Sequence, residues 1–180
     1  MKYNLILLSI LFSCISLSSY AIGKTHVIID GGMVHMRGSI SEPACSVSPE
    51  SQNQIIDLGV ISSNKFHGVG SRSVKIPFTL KLMDCNKNIS DKVSFLMLGD
   101  VNKTDGRIFN IVDQISSASG VGIALYNQED DIIIPNSDNK YIFIKENKTE
   151  LNFSARYIAT HDHVIGGKAD ATVLFIIKYN

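Results

Sequence analysis

Residues 171–180 read ATVLFIIKYN. In an extended chain successive side chains point to opposite faces, so Ala171, Val173, Phe175, Ile177 and Tyr179 share one face and Thr172, Leu174, Ile176 and Lys178 the other. The first set is expected to face a core. The second set is apolar as well at Leu174 and Ile176, and only Lys178 interrupts the run. Edge strands carry unpaired N–H and C=O groups and are usually blunted by charge, proline or a covering segment. Here the sequence ends at Asn180, and the strand is expected to stand uncovered.

The stretch VKIPFTLKLMDC, residues 74–85, carries the same period of two. Ile76, Phe78, Leu80 and Leu82 alternate with Pro77, Thr79 and Lys81, which predicts a strand with one buried face. Pro77 cannot donate to a ladder and points to an edge or a strand start. Further strands are predicted over Met33–Ser41, Ile55–Val60, Val93–Leu98, Gly122–Tyr126, Tyr141–Ile144, Leu151–Ala159 and Ala169–Tyr179. Loops rich in Ser, Asn, Gly and Asp separate them. No long amphipathic pattern at helical spacing competes, so the fold class is all-β, a sandwich of immunoglobulin type.

The beginning of the chain predicts export. Lys2 followed by the apolar stretch Leu5–Leu17 and the small-x-small site Ser19-Tyr20-Ala21 reads as a secretory signal peptide over residues 1–21. The remaining chain, roughly 160 residues, suits one domain. Of three cysteines Cys14 lies in the signal, leaving Cys45 and Cys85. In an oxidising compartment that pair is most simply a disulfide, stabilising by roughly 4 kcal/mol in the chain-entropy model.

Charge and motifs narrow the function. The 17 basic and 17 acidic residues balance, which gives no electrostatic footprint for nucleic acid. His161-Asp162-His163 has the spacing of some metal sites but no supporting cluster, and it reads as a solvated loop. The glycines of GVGIAL lack the rest of a dinucleotide fingerprint and more plausibly open a strand where another backbone comes close. No serine, histidine and carboxylate are placed together by motif, and no paired acids stand out. An enzyme, a metal, a cofactor and a small-molecule substrate are therefore not expected.

The stretch before the first cysteine is long for a leader. In GGMVHMRGSI, residues 31–40, Val34, Met36, Gly38 and Ile40 alternate on one face, which is what a missing final strand would need. Either this segment folds back onto its own domain or it completes another. Together with Pro43-Ala44-Cys45, IDLGVIS, FTLKLMDC, ASGVGIALYN, LNFSARYIAT and the GGKADATVLFIIKYN ending, it resembles the type 1 pilin family of chaperone–usher fimbrial subunits over essentially the whole mature chain.

The resemblance implies an incomplete immunoglobulin-like sandwich lacking its final strand, completed by donor-strand complementation. Residues 1–21 would be signal, 22–41 the N-terminal donor extension and 42–180 the pilin domain. Val34, Met36, Gly38 and Ile40 match the donor face. Ala171, Val173, Phe175, Ile177 and Tyr179 match the acceptor groove, and the Asn180 carboxylate is the expected chaperone anchor. Implied partners are a periplasmic chaperone, an outer-membrane usher and neighbouring fimbrial subunits, with no nucleic acid. The stretch GVISSNKFHGVGSRSVKIPF is similar to the minor subunit encoded beside the major pilin in type 1 operons. A minor or rod subunit supporting adhesion follows, with a rod terminator or anchor, or a free secreted immunoglobulin-like binding module, as alternatives.

Overall fold

The structure is a computed structural model and describes residues 29–179. The signal segment and Asn180 lie outside the described residues. The chain divides into two units, residues 1–39 and 40–180. In the first, residues 29–39 adopt no regular secondary structure, and Val34 and Met36 are 78% and 91% exposed. The strand expected over Met33–Ser41 is thus absent. Alternation makes a segment competent for a ladder, but a strand exists only where its backbone groups and apolar face find a partner.

The second unit is a two-layer antiparallel sandwich. Its strands are β1 (Ser46–Val47), β2 (Ile76–Cys85), β3 (Lys92–Leu98), β4 (Val121–Tyr126), β5 (Ile132–Ile133), β6 (Ile142–Phe143), β7 (Asn147–Ala159) and β8 (Leu174–Tyr179). A four-residue helix, α1 (Pro49–Gln52), and a 3-10 turn over Ser63–Lys65 are the helical pieces among the described residues. One sheet has the order β1-β2-β7-β4-β5 and the other β6-β3-β8.

The long hairpin-like pair of β2 and β7 dominates. Their register runs from Ile76 opposite Ala155 to Cys85 opposite Asn147, and it shifts between Met83 and Cys85, where Asp84 takes a φ of +52°. Leu80, Leu82, Leu151 and Phe153 from this pair meet Val93, Phe95 and Met97 of β3 in one buried cluster. Phe95 stands edge-on to Phe153 at 4.9 Å between ring centroids, a favoured aromatic geometry. Pro77 lies near the start of β2, on a stretch that the two-residue β1 does not reach, so its missing N–H removes no ladder bond to β1.

A Cys45–Cys85 disulfide joins the approach to β1 to the end of β2, closing a separation of 40 residues. Both cysteines are buried. The Tyr179 hydroxyl donates to the Cys45 carbonyl oxygen at 2.8 Å, so the end of β8 is tied to the disulfide-bearing segment.

Two expected strands are corrected. Ile55–Val60 is irregular, with Ile55 and Val60 exposed; Asp57 accepts from the Gly59 N–H at 2.8 Å, and Gly59 turns at a φ of +70°. Short side-chain-to-backbone bonds of this kind compete with ladder formation. The last strand starts at Leu174 instead of Ala169, because the preceding backbone is engaged elsewhere: Lys168 and Asp170 carbonyls accept from Ala118 and Val112, and Ala169 accepts from the Tyr157 hydroxyl. The glycines of GVGIAL sit where backbones crowd. A Cβ at Gly122 would lie 2.9 Å from the Phe109 carbonyl oxygen, and one at Gly120 would lie 2.5 Å from that of His163.

Two measurements follow. Replacing Cys45 and Cys85 together with alanine is expected to lower stability by about 4 kcal/mol, seen as a shift in denaturant midpoint. Burial pushes the Tyr126, Tyr157 and Tyr179 phenols above their usual range. Their contribution is complete below the unfolded value near 10 and is lost as pH rises through the higher folded values. Tyr179→Phe should cost about 1 kcal/mol at neutral pH by losing the bond to Cys45, and it should also flatten the alkaline loss of stability.

Candidate interaction groove

The edge of the smaller sheet builds the site. β8 pairs with β3 from Val93 opposite Tyr179 to Leu98 opposite Leu174, and among the described residues nothing pairs with its other side. A row of backbone N–H and C=O groups is left open there, the condition that invites an added strand. Beside it the two sheets part around a groove of about 1320 Å³.

Alternation along the last segment sets the groove's chemistry. Ala171, Val173, Phe175, Ile177 and Tyr179 all pack against the buried cluster yet remain partly exposed, while Thr172, Leu174, Ile176 and Lys178 are exposed. Ala171, Val173 and Phe175 line the groove directly. Phe78, Leu80, Ala155 and Tyr157 line it from the larger sheet, and Met97 lines it from β3. An inward-facing row that stays half-buried is a core face short of one layer of side chains.

The rim comes from segments that the sequence reading did not place there. Residues 52–61 run along the groove, with Ile55 and Val60 exposed, and residues 164–170 close toward it at another side. The apolar Ile55, Ile56, Leu58 and Val60 in a stretch that forms no strand were the available signal. Burial holds the Tyr157 phenol above its usual range, and the nearby negative charges of Asp170 and Asp57 add to the shift. The groove therefore has an apolar floor and acids near Tyr157.

Of the remaining expected site residues, Val34, Met36 and Ile40 are exposed, and a Cβ at Gly38 would meet nothing within 4 Å. Asn180 lies outside the described residues. His161, Asp162 and His163 occupy an exposed loop in which the Val69 N–H donates to Asp162 and the Thr160 hydroxyl meets His161 Nδ1 at 3.0 Å. Among the described residues no group of three or more His, Cys, Asp or Glu side chains is gathered to hold a metal ion.

Comparison with known proteins agrees with this architecture. Residues 34–180 match the family described as fimbrial protein. The chain is 33% identical over 150 residues to long polar fimbria protein A of Salmonella typhimurium, covering 82% of this chain and 83% of the relative. It is 31% identical over 165 residues to the uncharacterized fimbrial-like protein SfmA of Escherichia coli K12, covering 88% and 91%. A chain from the structure of a chaperone–usher pilus that addressed rod uncoiling superposes with a TM-score of 0.67 at 18% identity, over 86% of this chain and 99% of that one, a likeness of fold. The chain belongs to the fimbrial protein family and is a non-enzymatic structural subunit of a fimbria, exported to the cell surface.

Proposed function

We propose that this subunit polymerises by donor-strand exchange, its groove accepting the N-terminal extension of a neighbouring subunit. The observation that carries this reading is the pairing of β8's open edge with a half-buried apolar row along an elongated groove. Strand addition uses both features at once, since the ladder supplies affinity and alternate side-chain sites supply register. Residues 33–41 have the complementary pattern. Val34, Met36 and Ile40 are apolar and exposed on the alternating face, with Gly38 between them.

The energetics fit the scale of such a device. Burying Val34, Met36 and Ile40 contributes roughly 5 to 9 kcal/mol before ordering entropy, at about 1.5 to 3 for each side chain. A whole domain is stable by only about 5 to 15 kcal/mol, so a subunit without its donor is marginal. Electrostatics favours the same partner: the polar residues of 33–41 include His35 and Arg37 and no acid, while Asp57 and Asp170 lie near Tyr157 in the groove wall.

In this reading a periplasmic chaperone holds the unpolymerised subunit by lending a strand and anchoring the Asn180 carboxylate. An outer-membrane usher then exchanges that strand for the next subunit's extension. The contact is head-to-tail and need not close, so the product is a filament. The subunit takes a rod or minor position in a fimbria that supports adhesion.

The test moves residues 26–41 behind a flexible linker after Asn180 and compares this fusion with the same chain lacking them. A large rise in denaturant midpoint with the moved segment is expected. Introducing Met36→Asp into that segment should remove about 3 kcal/mol of the gain, combining lost apolar burial with the cost of a desolvated charge. A domain already stable without the segment would favour a free binding module. A marginal domain that the segment fails to rescue would favour a rod terminator.

A further inference from the structure

The outer face of the larger sheet, turned away from the groove, carries a cluster of cations that the donor-strand reading does not use. Ala155 and Tyr157 line the groove, so Arg156 between them projects from the opposite face of β7. Arg72 stands across from Ile158, two residues further along that face. Ile76 stands across from Ala155, which brings the neighbouring Lys75 beside Arg156. Beneath these cations lies a small apolar bed of Ile108, Ala124, Tyr126 and Ile158, all buried. The Arg156 guanidinium lies 4.5 Å from the centroid of the Tyr126 ring, and Lys75 Nζ lies 5.4 Å from it.

Arg156 is the anomaly. Its side chain is only 12% exposed, yet its closest carboxylate oxygen, on Asp130, is 3.7 Å from Nη2, beyond hydrogen-bond reach. Nε is enclosed and has no hydrogen-bond partner among the described residues. More exposed lysines do better: Lys81 meets Glu50 at 2.7 Å and Lys140 meets Asp131 at 2.9 Å. Asp130 is held by Lys75, and nearby Asp105 is taken by Arg107. Among the described residues Arg72, Lys75 and Arg156 therefore have between them only the Asp130 carboxylate. Burial and the Arg72 charge hold the Arg156 pKa below its usual range. Packing of a long stem over the apolar bed explains where the arginine lies. It does not explain a cluster of charge without matching counter-charge, which enclosed cations normally find.

We propose that Arg72, Lys75 and Arg156 form a binding site for the sulfate or carboxylate groups of an acidic polysaccharide. A guanidinium presents paired N–H donors that match such oxyanions in a planar fork. Because Nε is the enclosed atom, the two Nη groups are the ones offered to solvent. The apolar bed lowers the local dielectric and strengthens the attraction. Tyr126 is buried, so its ring has no free face on which a sugar could stack, and recognition falls to charge. One such site is weak. A subunit repeated along a surface filament presents it many times, which favours a polymeric anion over a free one. The site lies outside the groove and does not depend on donor-strand exchange.

Calorimetric titration of the mature chain with a heparin hexasaccharide tests the proposal, with inorganic sulfate and neutral dextran titrated in parallel. The hexasaccharide is expected to bind, dextran to give no signal, and sulfate to bind at least about tenfold more weakly, since it engages the cluster through a single group. Arg156→Lys keeps the charge and the stem but removes the fork, and it should weaken hexasaccharide binding about tenfold. Arg72→Gln, at an exposed position, should do the same, and the denaturant midpoints of both variants should stay near that of the parent. Lys148→Gln lies on the same face of β7 roughly 26 Å away and should leave the affinity unchanged. Absence of hexasaccharide binding would overturn the proposal. An equal loss in Lys148→Gln would also overturn it by showing attraction to diffuse charge, and sulfate binding as tightly as the hexasaccharide would do so by showing a site for a free anion.

Discussion

The open side of β8 is the constraint on which this molecule's organisation depends. Among the described residues its backbone is bonded on one side only, to β3, and its inward side chains reach the core without being enclosed by it. Backbone amides and carbonyls tolerate such a position in water, but half-covered Phe175, Ile177 and Tyr179 leave apolar area unburied. One additional strand answers both deficits, since a ladder and a row of alternate side chains arrive together. In the proposed donor-strand reading, the domain gains its last increment of stability from another molecule, which makes assembly and folding one thermodynamic problem.

Holding an uncovered strand in register without its second neighbour calls for anchors at its ends. At the C-terminal end Tyr179 supplies one, donating to the Cys45 carbonyl, and the disulfide ties Cys45 to the end of β2, a strand paired along its length with β7. At the other end, carbonyls of residues 168–170 bond to Val112, Ala118 and Tyr157. These bonds leave the outer edge of the strand free while fixing where it begins and finishes. The groove is thereby presented as a formed surface, which in the proposed reading lowers the ordering cost borne by an incoming segment.

Much of this was legible from alternation alone. The period of two in residues 74–85 and 171–179 is a local property, and it identified both a core strand and the inward row of β8. Two cysteines in an exported chain left little choice of pairing. The failures have a common physical origin. Residues 33–41 and 55–60 alternate or are apolar enough to form strands, but strand formation is a property of a pair, and the segment itself carries no record of whether its partner is present. The start of β8 was misplaced for a related reason, because Ala169–Val173 has strand composition while the Asp170 carbonyl is claimed by Val112, distant in sequence, and the Ala169 carbonyl by the Tyr157 hydroxyl. The groove rim was missed because it is made of irregular chain, whose contribution comes from where β2 and β8 leave it.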